Sequence, residues 1–372
     1  MLMTSYRSSL KQYMLHVRNN AELAVRNLLK DVASKQGGAK ELWAKDYMDD
    51  GSPIELKVTL DGEEGSAVFD FEGSGPEVVG NWNVPKSVVY SAIIYCLRAM
   101  VATDIPLNSG CLVPVEVRIP ENSMLDPSDG AAVVGGNVLT SQRITDVVLK
   151  AFKAAAASQG DCNNLTFGQG GTDEHGNQVQ GFAQYETIGG GSGAGPTWHG
   201  TSGVHTHMTN TRISDVEIME RSLPVVVRQF SIREGSGGSG RYRGGDGIVR
   251  DIQFLMPEMG VSILSERRVL RPFGMEGGGD GQSGKNTWVK RDVDDQGNVT
   301  ERRLNMGGKT TVTCSRLDRV VIETPGGGGW GKEGDDEKEN SEGTKGPLEL
   351  ASDAVGNLKG SLTERLQAQL GA

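Results

Sequence analysis

Glycine constrains this chain most: it occupies 53 of the 372 positions. A residue without a Cβ adopts left-handed backbone freely and lets another chain segment come close, at an entropic cost on folding. These glycines follow no fixed period, which excludes collagen and simple repeat arrays. They gather in short groups, such as 189–195 and 326–329, between segments with strand character. The fold therefore needs many tight turns, or backbone packed closely against backbone or ligand.

The length allows one large domain or two, either with a sizeable core. A formal net charge of -10 argues against a nucleic-acid partner. No run approaches the ~18 apolar residues of a membrane span, and no secretory leader is recognised at the start. Cys96, Cys111, Cys162 and Cys314 are scattered without CxxC spacing, against a structural zinc site or a disulfide framework. A reducing, cytosolic compartment is expected.

The periodicity predicts an α+β fold. Helices pack with a mixed sheet in the N-terminal half, and an antiparallel barrel or sandwich forms the C-terminal half. Residues 5–33 read as an amphipathic helix, with Leu10, Met14, Val17, Ala21, Ala24, Leu28 and Val32 stepping by three or four. Ile54–Leu60 and Ser66–Phe71 read as a hairpin joined through Asp61-Gly62. Helices are expected over 85–102 and 141–157, the second capped by Thr140 or Ser141, with a strand over 114–119. The chain divides into a helix-rich 1–160, a glycine- and polar-rich 161–221 and a β-rich 222–331. The composition of 332–350 predicts a disordered acidic linker. Leu358, Leu362, Leu366 and Leu370 predict a peripheral helix over 351–372.

Polar chemistry concentrates in one block: Tyr185 and Glu186, then His205, His207, Asn210, Arg212 and Asp215. If residues 205–207 are extended, both histidines face the same side. Such density is unfavourable unless the groups pair with each other, a ligand or a metal. Three readings follow: two metal ligands completed by Asp215 or Glu186, structural histidines lining a cleft, or acid/base groups titrating near neutrality. Glu186 is a candidate base or an ion-pair partner for Arg212. Ser265-Glu266-Arg267-Arg268 reads as a solvated turn or an intersubunit salt bridge. Residues 136–143 place polar donors at a helix start, suited to a carboxylate or to ordinary capping. Gly326 to Lys332 approaches a phosphate-binding loop but has Glu333 where the magnesium-binding hydroxyl belongs, and Gly279 to Lys285 is a weaker near-match.

Longer motifs resemble a known family. Ile105-Pro-Leu-Asn-Ser-Gly-Cys, Ala132-Val-Val-Gly-Gly-Asn-Val-Leu-Thr-Ser-Gln-Arg, Ala157-Ser-Gln-Gly, Tyr185-Glu-Thr-Ile, Gly193-Ala-Gly-Pro, His205-Thr-His and Thr324-Pro-Gly-Gly-Gly-Gly look like the hydantoinase B/oxoprolinase family. The likeness covers roughly residues 10 to 331. Asp46-Tyr-Met-Asp-Asp-Gly-Ser-Pro and Glu64-Gly-Ser-Ala-Val-Phe-Asp-Phe make it most similar to the C-terminal part of eukaryotic-type 5-oxoprolinases. That resemblance implies ATP-dependent hydrolysis of 5-oxo-L-proline to L-glutamate, a step of glutathione turnover. The partner would be an ATP-binding, hydantoinase A-like half, in a homo- or hetero-oligomer. ATP and a divalent metal are implied for the complete enzyme, with no cofactor held by this chain alone. The family's Asn-Asp-Pro-Tyr and Gly-Gly-Thr-His segment is missing here, so a fragment inactive in isolation is expected. A non-catalytic structural subunit, or a hydrolase of another cyclic amide such as a hydantoin, stays open. The positions matching family motifs are Tyr185, Glu186, His205, His207, Asn210, Arg212 and Asp215.

Overall fold

The computed structural model describes residues 2–35, 40–103, 105–172, 175–293, 296–297 and 299–334. The proposed linker and terminal helix, from residue 335 onward, lie outside them. The class is α+β, as the periodicity predicts.

In the N-terminal layer, β1 (Glu41–Tyr47), β2 (Pro53–Asp61) and β3 (Ser66–Asp70) form an antiparallel meander. The Asp61↔Ser66 pair closes the expected hairpin. β4 (Val115–Arg118) joins β3 in parallel. The sheet alternates as an antiparallel sheet with one covered face should: Ile54, Leu56, Val58 and Leu60 point inward from β2. Helices α1 (Leu2–Lys35), α2 (Lys86–Met100) and α3 (Thr140–Ala151) supply the other half of the core. α1 buries Ala21, Val25, Leu28, Leu29 and Val32, while Tyr13, Met14 and Leu15 stand exposed. β1 escapes sequence reading because its inward positions are Leu42, Ala44 and Asp46, an apolar alternation broken by a carboxylate.

α3 is shorter than its periodicity suggests. Lys153 takes a left-handed φ of 49°, and the chain then leaves the helix so that the Ala156 amide donates to Ala194 O. Neither expected cap forms. The Thr140 hydroxyl donates to Trp82 O and the Ser141 hydroxyl to Asn137 O, because both side chains are buried among carbonyls.

The C-terminal half is a sandwich. One sheet runs β11 (Val299–Asn305), β10 (Lys285–Val293), β13 (Arg319–Glu323), β8 (Gly247–Phe254), β7 (Val225–Arg233). The other runs β12 (Lys309–Cys314), β9 (Met259–Leu264), β5 (Asn164–Thr172), β6 (Gln178–Glu186). Leu165, Phe167, Val261 and Ile263 share one core with Ile252, Phe254, Val320 and Ile322. The sandwich thus begins at Asn164, inside the segment read as glycine- and polar-rich. β5 and β6 were hidden because they carry glycine and glutamine at their exposed positions. A short α4 (Val216–Ser222) precedes β7. All four cysteines are buried and free. No helix among the described residues is long and apolar enough to cross a membrane.

The glycine groups converge. Residues 326–329 run through a bundle of neighbouring backbones: Gly327 N donates to Gly245 O, Gly328 N to Ala157 O and Gly329 N to Gly279 O, each at 2.8–2.9 Å. In return Gly238 N donates to Gly327 O and Ala194 N to Gly328 O. A Cβ on Gly327 would lie 1.9 Å from Ser192 O, and the neighbour is backbone that cannot swing away. Gly327→Ala is therefore expected to destabilise by about 3 kcal/mol or more. Gly130→Ala, with nothing within 4 Å of its Cβ position, should stay within about 0.5 kcal/mol. Urea unfolding of both variants checks this, and equal midpoints would refute the packing account.

Candidate active site

The seam between the layers is built from charges. Residues 265–268, read as solvated or intersubunit, are instead sealed inside: Ser265, Glu266 and Arg267 are each 0% exposed. The segment follows β9 and turns inward through Arg267, whose φ is 57°. Arg267 Nη2 donates to Asp46 Oδ2 at 2.7 Å and to Asp146 Oδ2 at 3.0 Å. Arg143 Nη2 lies 3.5 Å from Glu266 Oε2, which also accepts from Asp49 N at 2.8 Å. Lys309 completes the Glu266 pairing. Arg268 reaches Asp161 Oδ2 at 3.4 Å and Asn163 Oδ1 at 2.8 Å. Turns favour such clusters at a surface; here burial makes pairing obligatory. Burial raises the Asp46 carboxyl, but the Arg267 and Arg143 guanidiniums outweigh it and hold the group below its usual range. For Asp161 burial wins over Arg268 and the group is pushed up to about 6.

His207 stands at the edge of this network. Its φ of 52° ends any extended path from His205, so the two histidines do not share a strand face. Their partners differ. His205 Nε2 lies 3.1 Å from Thr187 O. His207 Nδ1 lies 3.0 Å from the Tyr95 hydroxyl, with the two rings edge to face at 5.5 Å. His207 Nε2 lies 3.7 Å from Asp146 Oδ1. A lone pair on Nε2 facing that carboxylate would be repulsive, so we assign the proton to Nε2, leaving Nδ1 to accept the Tyr95 O–H. Burial holds the imidazole below its ordinary value, with Asp146 opposing. Burial likewise pushes Tyr95 up to about 12.

The other sequence candidates are placed as follows. Glu186 is fully buried against Arg250, with Nη2 2.8 Å from Oε1, so its ion-pair partner is Arg250 and not Arg212. Asp215 caps α4, accepting from Ile218 N at 3.1 Å. Tyr185 is half exposed, and its hydroxyl accepts from Asn164 Nδ2. Asn210 and Arg212 are exposed. Of the seven, the structure sets His207 between Tyr95 and Asp146, neither of which sequence reading singled out. Tyr95 looks like core on α2. The available signal for Asp146 is a carboxylate one helical turn from Arg143 in a helix that is buried on every side.

The described residues do not fit a metal centre: none of their His, Cys, Asp and Glu side chains form a group of three or more able to hold one. Nor does the glycine run fit a phosphate cradle. The amides of Gly326, Gly327, Gly328 and Gly329 already donate to Gln282, Gly245, Ala157 and Gly279 carbonyls. A cradle needs those N–H groups free.

Residues 2–333 match the family model described as Hydantoinase B/oxoprolinase. The chain is 53% identical over 332 residues to 5-oxoprolinase 1 of Arabidopsis thaliana, covering 87% of this chain and 25% of that protein. It is 52% identical over 322 residues to the 5-oxoprolinase of Dictyostelium discoideum, covering 86% and 24%. The chain thus spans about a quarter of the length of these curated relatives. Among solved structures, the ATP-dependent caprolactamase from Pseudomonas jessenii superposes with a TM-score of 0.70 at 21% identity, covering 87% of this chain and 56% of that one.

Two outcomes follow from this geometry. Arg267→Met should leave Asp46 and Asp146 buried without their shared cation and destabilise by about 3–5 kcal/mol in urea unfolding; a loss below ~1 kcal/mol would remove Arg267 from the centre of the fold. The second concerns pH. Because His207 is held below its ordinary 6.5, the unfolded chain takes up a proton that the folded chain refuses. The resulting stability is present above about 6.5 and is lost as pH falls through that value toward the folded one. Asp161 acts in the opposite sense between about 4 and 6, since the folded chain retains its proton. Asp161 is common to wild type and His207→Asn, so it cancels in their stability difference. That difference should shift against wild type from pH 7.5 to 5.5; a flat difference would show that His207 is not desolvated.

Proposed function

The chain belongs to the hydantoinase B/oxoprolinase family, and on that basis we propose that it forms part of the ring-opening half of an ATP-dependent 5-oxoprolinase. The reaction converts 5-oxo-L-proline, ATP and water to L-glutamate, ADP and phosphate. The observation that carries this reading is the Tyr95–His207–Asp146 arrangement, in which a hydroxyl lies 3.0 Å from one imidazole nitrogen and a carboxylate oxygen 3.7 Å from the other. The whole-protein activity is carried over from relatives four times as long, at about 50% identity.

A lactam is a poor electrophile, and its activation by ATP belongs, on this reading, to a hydantoinase A-like partner that also handles any divalent metal. What remains is proton management. Water attacking the carbonyl carbon must lose a proton, and the ring nitrogen must gain one when the C–N bond breaks. Tyr95 can pass the water proton to His207 Nδ1 as its own O–H moves across the 3.0 Å contact. The imidazolium then has Nε2–H facing Asp146, which stabilises the charge as it develops. Return of the proton through Tyr95 to the departing nitrogen yields the amine and an acyl phosphate, which a second water hydrolyses to the carboxylate and free phosphate. A neutral resting imidazole suits this, because a base must begin unprotonated.

The second reading, a structural subunit, is favoured by one observation. Tyr13, Met14 and Leu15 of α1 are 70%, 63% and 55% exposed, an apolar face fit for assembly.

The readings part in the enzyme assembled with its ATP-hydrolysing half. His207→Ala and Tyr95→Phe should each lower glutamate release about a hundredfold to ten-thousandfold while ATP hydrolysis largely persists. Glutamate release, ATP turnover and melting temperature are measured on the same preparations. Parallel loss of both activities with a lower melting temperature would assign His207 to structure alone; unchanged glutamate release would remove it from the site.

A further inference from the structure

We propose that Gln142 is a positioning residue, whose side-chain amide holds the 206–208 backbone in the conformation that aims His207 at Tyr95 and Asp146. The inference deepens the reading of His207 given above and rests on it for its catalytic meaning.

His207 is not glycine, yet it adopts a φ of 52°. L-residues rarely visit that region, and they persist there where surrounding structure over-determines them. Here the restraint is one side chain. Gln142 Nε2 donates to Thr206 O at 2.9 Å, and Gln142 Oε1 accepts from Met208 N at 3.3 Å. The amide thus grips the carbonyl on one side of His207 and the amide N–H on the other. Reversing it would set NH2 against N–H and oxygen against carbonyl, so its orientation is determined. The second Nε2 hydrogen points to Cys162 Sγ at 3.4 Å, which locks the side chain further.

Two features make Gln142 the anchor and not a bystander. It is 0% exposed, on a helix whose residues from Thr140 to Leu149 are all buried, so it cannot yield to solvent. The local alternative, the Thr206 hydroxyl, is buried and has no hydrogen-bond partner among the described residues. Gln142 and Asp146 also stand four apart on α3, hence on one helix face. A single rigid helix therefore supplies both the clamp that bends the backbone and the carboxylate that the bent residue meets. This gives the glutamine of the Thr140-Ser-Gln-Arg motif a task that an anion-binding helix start did not explain.

The test uses NMR of the chain with labelled histidine rings and labelled backbone nitrogens, comparing wild type, Gln142→Met and Gln142→Glu. Methionine keeps the length and loses every hydrogen bond. Expected in Gln142→Met is Met208 amide exchange faster by about tenfold, the worth of one lost hydrogen bond. The His207 ring signals should move and its titration approach that of a free imidazole, while His205, bonded to Thr187 O, stays unchanged. Gln142→Glu keeps the acceptor for Met208 and loses the donor to Thr206, so it should shift the His207 signals while Met208 stays protected. It decides the matter if the methionine variant does not fold. Unmoved His207 signals in either folded variant would overturn the proposal. Turnover of the assembled enzyme separates the two ideas: displaced His207 signals with undiminished glutamate release would sink the catalytic reading and leave the positioning role standing.

Discussion

The guanidinium of Arg267 between Asp46 and Asp146 is the contact on which the rest of the architecture turns. It joins the end of β1, the middle of α3 and the segment leaving β9. A charge this deep is tolerated only with its partners in place, so the helical layer and the sandwich are matched at a point and not merely pressed together. Arg143 with Glu266, and Arg268 with Asp161, extend the same logic around it. Because Asp146 is held on its Oδ2 by Arg267 and on its Oδ1 by the Ser158 amide, it cannot rotate away from His207. Structural pairing and site geometry are one arrangement.

Around that seam the glycine bundle performs a different task. Its segments bury backbone polar groups without side chains to shield them, and the amides of residues 326–329 each find a carbonyl on another segment. Hydrogen bonding of this kind satisfies backbone outside helices and sheets, which buried chain must otherwise avoid. It also lets Ala156 and Ala157, directly beyond α3, thread between residues 194, 273 and 328. An apparent nucleotide loop is thereby explained as packing.

Much of the fold was legible. α2, the β2–β3 hairpin and the β-rich stretch from 222 followed from periodicity: β8, β9 and β13 bury apolar side chains there, while β7 leaves Phe230 and Ile232 exposed. β1, β5, β6 and β10–β12 did not, because polar or glycine residues sit where an apolar alternation would show. The polar block from 185 to 215 stands out in the sequence, yet its members scatter in the fold. Asp215 caps a helix and Glu186 closes a buried pair with Arg250, leaving His207 with partners from α2 and α3.

Taken alone, the sequence determined the α+β class, the demand for close backbone approach and the presence of a dense polar segment. Those are properties of local periodicity and of residue chemistry, which act over a few positions. It did not determine which carboxylate meets which guanidinium. Arg267 and Asp46 are separated by 221 positions, and nothing local distinguishes a buried Arg267 from a solvated one. Tertiary structure decided that choice, because only the packing of the sandwich against the helical layer removes water from residues 265–268 and forces every charge there to find a partner.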